Sequence, residues 1–164
     1  MSISFFNKNS GVDISEYFDN VLLPAQNNAN SVSRAVLKLP SNIELSMPSI
    51  AKSLFHHSDQ LREIPYFDTS NATEMQAMCN GCNNLETVPI LDTSKITTFQ
   101  NAFSDCGKLT NESLNNIMKM CINATSFEGT KTLRHLGLSQ TQITVCQGLS
   151  NYEDLLAAGW TTGY

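Results

Sequence analysis

Leu61-Arg62-Glu63-Ile64-Pro65-Tyr66-Phe67-Asp68-Thr69-Ser70 returns further along the chain as Leu85-Glu86-Thr87-Val88-Pro89-Ile90-Leu91-Asp92-Thr93-Ser94. The correspondence continues in the same register from Thr73 to Thr97, from Gln76 to Gln100 and from Cys82 to Cys106. Leucine falls at positions 37, 61, 85, 109 and 133, and a second evenly spaced column holds Phe55, Cys79, Phe103 and Phe127. A fixed period of roughly 20 to 30 residues marks a solenoid, in which units too small to bury their own apolar face stack on their neighbours. The period predicts an α/β repeat fold, namely a short leucine-rich-repeat solenoid of 24-residue rungs with a narrow parallel sheet and helical N- and C-terminal caps.

Within each rung, Leu-x-x-Ile-Pro or Leu-x-x-Val-Pro is expected to form the short strand, ended by a proline that donates no ladder hydrogen bond. Asp68-Thr69-Ser70 and Asp92-Thr93-Ser94 then turn the chain through bonds from side chain to backbone. Met75 to Cys79 and Phe99 to Phe103 read as single helical turns facing inward. From Asn111 the pattern changes: Leu114, Ile117, Met118 and Cys121 have helical spacing, with Asn111 as the cap and Glu112 in the first turn. Phe127 and Leu133 return in the repeat register, so a helix is expected to replace part of one rung without breaking the stack. Ser139-Gln140-Thr141-Gln142 has the form of a capping box opening a helix through Ile143, Cys146 and Leu149. Asn151 is expected to cap a last short helix ending at Gly159, with Trp160 sealing the core.

Three segments follow: an N-terminal helix and linker at 1–35, the solenoid at 36–138, and a helical C-terminal cap at 139–164. Ile14, Phe18, Val21 and Leu22 share one face of a helix over about 14–22, and Gln26-Asn27-Asn28-Ala29-Asn30-Ser31 reads as a linker. Two roles for this helix stay open, attachment to a particle and capping of the stack.

Only 15% of the 164 residues are charged, against about 25% in an average soluble domain, and Asn, Ser and Thr fill their places. A net charge of −5 with scattered Lys and Arg excludes the basic stripe that nucleic-acid binding needs. No apolar run reaches the roughly 18 residues of a membrane span. The opening Met1-Ser2-Ile3-Ser4-Phe5-Phe6 lacks the basic start and cleavage site of a secretory signal, so synthesis and retention of reduced thiols in a cytoplasm are expected. Cys79, Cys82, Cys106, Cys121 and Cys146 are odd in number and read as free thiols.

The pattern Leu-x-x-Ile/Val-Pro-x-Leu/Phe-Asp-Thr-Ser-x-x-Thr-x-Met/Phe, closed by Cys82 or Cys106 and the next leucine, resembles the repeats of BspA-like surface proteins. Such repeats occur in bacterial surface proteins, mycoplasma lipoproteins and bacteriophage tail genes. The resemblance covers about residues 47–110 closely and 111–149 loosely. Cys79 departs from it by standing where Phe55 and Phe103 stand in neighbouring rungs. The ending Leu149-Ser150-Asn151-Tyr152 with Ala158-Gly159-Trp160-Thr161-Thr162-Gly163-Tyr164 is similar to the close of tail- or baseplate-associated members. The resemblance implies adhesion or assembly and no catalytic residue.

Several constellations carry possible chemistry of their own. Cys79-Asn80-Gly81-Cys82 has the spacing of half a zinc site but lacks the second half. It also lacks the βαβ setting of a redox motif. His56, His57 and His135 fall in loops with no nucleophile beside them. Asp68 and Asp92 stack at about the strand spacing of 5 Å, where turn capping competes with an acid/base pair or a calcium ladder. No cofactor, metal or catalytic residue is implied.

The expected function is that of a non-enzymatic virion protein, in the tail, the baseplate or another exposed place, mediating host-surface adhesion or assembly. It would be made in the host cytoplasm and partnered by other virion proteins, by a host-surface protein or glycan, or by a homo-oligomer of itself. A cellular surface adhesin on a bacterium is the alternative within this class, and an unrecognised hydrolase or redox enzyme the alternative outside it. Surface positions that differ between rungs, with Tyr66 as an aromatic anchor, give Arg62, Glu63, Tyr66 and Glu86 as the candidate binding residues.

Overall fold

The computed structural model describes residues 54–58, 61–64, 66 and 68–163, together with the backbone of 6–7 and 45–46. The expected N-terminal helix at 14–22, the Asn-rich stretch at 26–31, Leu37, Pro65 and Phe67 lie outside the described residues. Phe6–Asn7 (β1) pairs antiparallel with Leu45–Ser46 (β2). Three helices follow, Asn111–Asn123 (α1), Gln140–Gln147 (α2) and Tyr152–Ala157 (α3).

Between residues 54 and 110 the chain winds into stacked rungs. The N–H of Phe55 donates to Met78 O at 2.7 Å, Cys79 N–H to Ala102 O at 2.8 Å and Gly81 N–H to Ser104 O at 2.9 Å. Each donor finds its acceptor one rung ahead, so the sequence period sets the stacking step. Leu61, Leu85 and Leu109 are buried, as are Phe55, Cys79 and Phe103. Two thiols add to the stack, since Cys82 Sγ donates to Phe55 O at 2.9 Å and Cys106 Sγ to Cys79 O at 3.0 Å. Buried backbone carbonyls need partners, and this explains a cysteine at the one position of the rung that must be compact and still donate.

Asp-Thr-Ser divides its labour residue by residue. Asp68 Oδ1 accepts from the Ser70 N–H at 3.1 Å and from its hydroxyl at 2.6 Å. Asp92 Oδ1 accepts from the Ser94 N–H at 2.9 Å and from its hydroxyl at 2.7 Å. The threonine between them is buried and reaches along the stack, Thr69 Oγ1 to Asp92 O at 2.8 Å and Thr93 Oγ1 to Met120 O at 2.5 Å. The first residue of the motif shapes the turn, and the second fastens it to the next rung. At the opposite corner His57, Gly81 and Asp105 occupy one repeat position in successive rungs and share a left-handed backbone, with φ of 57°, 78° and 60°. Glycine suits the middle one, since a Cβ there would stand 2.3 Å from the exposed His57 ring and oblige it to shift.

The parallel sheet expected from the repeat does not form, and the α/β leucine-rich-repeat solenoid is not the fold. Among the described residues the parallel pairing between rungs is confined to the isolated bridges Glu63–Thr87 and Glu74–Thr98. A ladder needs successive residues whose N–H and C=O alternate between partners, and Pro89, directly after Val88, has no N–H to continue one. On the far side of that rung the place of a next strand is taken by α1, whose side chains do the bonding instead. Ser113 Oγ donates to Glu86 O at 2.8 Å and accepts from Val88 N–H at 2.9 Å, while Asn116 Nδ2 donates to Val88 O at 2.9 Å. Backbone groups that a sheet would have paired are satisfied by a serine and an asparagine.

The helices follow their local signals closely. Thr110, not Asn111, is the N-cap of α1, its side chain accepting from Ser113 N–H at 3.2 Å. Leu114, Ile117, Met118 and Cys121 face inward. Ser139 and Gln142 form a reciprocal capping box on α2, which ends at Gln147 and leaves Leu149 beyond it. Asn151 occupies the N-cap position of α3 without a cap bond; its amide instead donates to Asn115 Oδ1 at 2.8 Å.

Beyond α1 the stacking step lengthens: Asn101 N–H donates to His135 O at 2.8 Å and Phe103 N–H to Leu136 O at 2.9 Å. The chain between donor and acceptor has grown by most of the length of α1, so the helical rung is longer than those before it. Phe127 and Leu133 are buried but do not continue the columns of Phe103 and Leu109, despite matching them in number. Phe127 stacks instead on Trp160, with centroids 5.2 Å apart and planes at 18°, and Phe99 meets Trp160 edge-on at 6.5 Å. Trp160 is brought there by a return of the C-terminal segment, where Thr132 and Thr161 make a parallel bridge and Leu133 N–H donates to Thr161 O at 2.9 Å.

Candidate binding face

The four residues singled out from sequence divide into separate groups. Arg62 Nη1 and Glu86 Oε1 form an ion pair at 2.8 Å between half-exposed side chains on adjacent rungs. Glu63 is exposed beside them and bridges Thr87 through the backbone. An exposed ion pair is worth little to stability and is screened by salt. Tyr66 stands apart, with 65% of its surface exposed, in a depression whose lining includes none of the other three.

Tyr66 and Ile90 occupy the same position in consecutive rungs, directly after Pro65 and Pro89. Both project outward, Ile90 being 40% exposed. They line a shallow depression of about 490 Å3 together with Ile122, Asp92, Ser94 and Asn123. A second depression of about 590 Å3 shares Ile90, Ile122 and Asn123 with the first and runs on to Lys119, Asn151 and Asp154. The two adjoin at these shared residues and together form a trench that reaches from Tyr66 and Ile90 across α1 to α3. Leu156, on α3, is the other large apolar side chain with substantial exposure among the described residues, at 39%.

Of the trench residues, Tyr66 was legible in the sequence. Ile122 and Asp154 were not, because their approach to Ile90 depends on where α1 and α3 pack. The signal available was slight: Ile122 is an apolar residue that falls off the Leu114-Ile117-Met118-Cys121 stripe.

The polar lining is partly preset. Asp92 is held below its ordinary range chiefly by the amide and then the hydroxyl of Ser94, with Lys95 helping and both burial and Asp68 opposing. Asp68 and Asp92 therefore serve their turns, and both Ser94 bonds fall on a single Asp92 oxygen, Oδ1.

The remaining candidates offer little chemistry. All five cysteines are free and buried. Burial pushes the thiols of Cys79, Cys106 and Cys121 far up, neighbouring thiols adding to it, and raises Cys146 to about 11. A thiol so protonated is a poor nucleophile. His56 and His57 lie with ring centroids 4.1 Å apart; burial and then the His57 charge lower the pKa of His56, and burial lowers that of His135. Among the described residues no three His, Cys, Asp or Glu side chains group to hold a metal ion, and no helix is long and apolar enough to cross a membrane.

Residues 49–137 match a family model described as Mycoplasma protein of unknown function, DUF285. The matched span takes in both Asp-Thr-Ser turns, Tyr66, Ile90 and α1, and ends before α2. No curated protein and no solved structure matches the chain.

Proposed function

The chain belongs to the family described as Mycoplasma protein of unknown function, DUF285, and on that premise we propose that it is a non-enzymatic surface repeat protein acting by adhesion or assembly. The observation that carries this is the outward placement of Tyr66 and Ile90 at one repeat position, while the other apolar repeat columns are buried among the described residues. Large apolar side chains that recur in register and face solvent are what a binding face requires. Stacked rungs hold that face rigid, so little conformational entropy is lost on association. Buried core thiols and carboxylates committed to turns favour binding over hydrolase or redox chemistry.

The place of action we propose is a bacteriophage virion, in the tail or baseplate or at another exposed position, assembled in the host cytoplasm. The resemblance read in the ending from Leu149 to Tyr164 supports it. The partners would be a host-surface component, another virion protein or further copies of the chain. The family match, which names a cellular organism, favours a second reading as an adhesin on a bacterial surface.

Fractionation tests both readings. Recovery of the protein with density-purified particles, at fixed stoichiometry, is the expected result; recovery on intact cells, accessible to external protease, would establish the adhesin. Presence only in the soluble lysate would remove both. Tyr66→Ala and Ile90→Ser should leave the melting curve within about 0.5 kcal/mol of wild type while weakening attachment. Arg62, Glu63 and Glu86, which lie outside the trench, should tolerate alanine in both assays if the trench is the binding face.

A further inference from the structure

The trench that joins Tyr66 to α3 has a composition that selects among ligands. Resting on the adhesive reading above, we infer that this trench is a binding site for a neutral oligosaccharide. A pyranose ring has a flat face of C–H groups edged by hydroxyls. The trench offers both kinds of partner in its lining, apolar Tyr66, Ile90 and Ile122 together with polar Asp92, Asn123 and Asn151. Tyr66, with 65% of its residue surface exposed, gives such a ring an apolar platform with little rotamer freedom to lose.

Depth and charge narrow the class further. Both depressions are open and shallow, which suits a chain of rings lying flat better than a peptide side chain that needs an enclosed pocket. They share Ile90, Ile122 and Asn123, so one ligand several sugars long can span both. Asp92 and Asp154 outnumber the single ammonium of Lys119 along the lining, on a chain of net charge −5. A sialylated or sulfated glycan meets like charge there, and a neutral one does not. Asp92 presents a fixed acceptor: its Oδ1 is occupied by Ser94, leaving Oδ2 for a sugar hydroxyl, and its depressed pKa keeps it anionic.

The full chain should be screened on an array of neutral, sialylated and sulfated oligosaccharides. The best neutral tetrasaccharide should then be titrated by NMR or calorimetry. Binding to a neutral series is expected, with Tyr66→Ala weakening it roughly ten-fold or more, Tyr66→Phe retaining it, and Asn123→Ala reducing it by a smaller factor. Asn123→Ala probes the polar lining without disturbing the turn that Asp92 holds. No neutral ligand at millimolar concentration, a preference for acidic glycans, or full binding by Tyr66→Ala would overturn the inference. Adsorption assays separate it from the broader reading. If Tyr66→Ala abolishes attachment but the free saccharide does not compete, the adhesive face stands and the saccharide site falls. If neither alters attachment, both fall.

Discussion

Rungs 54–110 and the helical segment 111–163 are built on the same core but obey different rules. In the first, backbone donors meet acceptors in the adjacent rung, and side chains such as Thr69 and Cys82 tie neighbouring rungs together as well. In the second, the step lengthens across α1, and an aromatic cluster of Phe99, Phe127 and Trp160 takes over the packing. A repeat can therefore be extended by any element that satisfies the exposed backbone of the last rung and fills its apolar floor. Helix α1 does the first through Ser113 and Asn116 and the second through Leu114, Ile117 and Met118.

Matched truncations give the largest expected effect and decide whether the two regions are separable. Phe103→Ala in the rungs and Phe127→Ala in the aromatic cluster should each cost about 3 to 5 kcal/mol. Their side chains belong to one continuous core, so both variants should unfold in a single transition by calorimetry and by near-ultraviolet dichroism. Two transitions for Phe127→Ala, with the rungs surviving the first, would make the helical segment an independent unit.

Next in size is Gly137, where the lengthened step lands against the rung before it. Its φ is 86°, and a Cβ would lie 2.6 Å from the Ser104 Cα. Gly137→Ala should therefore destabilise by about 2 to 3 kcal/mol, combining left-handed strain with backbone overlap. Gly107 has open space around it, and Gly107→Ala should stay within about 0.5 kcal/mol in the same denaturant titration. Equal effects at the two glycines would mean that Gly137 and Ser104 are not in close stacking contact.

The junction itself is probed by Ser113→Ala, which leaves the buried Val88 N–H without its acceptor. A loss of about 1 to 3 kcal/mol is expected, with Ser113→Thr recovering part of it. A neutral Ser113→Ala would show that the rung does not depend on the helix for hydrogen bonding.

Smallest is the acid dependence of the Asp-Thr-Ser turns. The folded pKa of Asp92 lies below its ordinary 3.8, first through the Ser94 amide, so its contribution is complete above that value and is lost as pH falls through the folded pKa. Asp92→Asn should flatten the acid side of the stability curve by a small amount, while a steep acid loss unchanged in the variant would assign it to other carboxylates.

What the sequence made legible follows the same division. Repeat positions were readable where one residue type performs one task in every rung, as Leu61, Leu85 and the two Asp-Thr-Ser turns do. The Ser139–Gln142 capping box was readable because its bonds are local. The parallel sheet was misjudged because strand-like composition at Leu61–Ile64 and Leu85–Val88 does not reveal that pairing stops at an isolated bridge. Phe127 and Leu133 misled for a related reason: they keep the repeat spacing while the chain between them and Phe103 has left the stack. Half of the candidate trench, from Ile122 to Asp154, depends on that same departure and carries no periodic trace.

The buried cysteines give the molecule a built-in clock. A thiol enclosed in a core reacts with an alkylating reagent only when the core opens, so with reagent concentrated enough to outpace reclosing, the labelling rate of each cysteine reports the opening rate of its surroundings. Cys79, Cys82 and Cys106 keep time for the rungs, Cys121 and Cys146 for the helices. In an oxidising medium the folded chain keeps its buried thiols out of reach of oxidants in the solvent, whereas each excursion to the open state exposes thiols that can be trapped irreversibly. Its lifetime outside a reducing compartment is then set by how often it unfolds rather than by how stable it is at equilibrium.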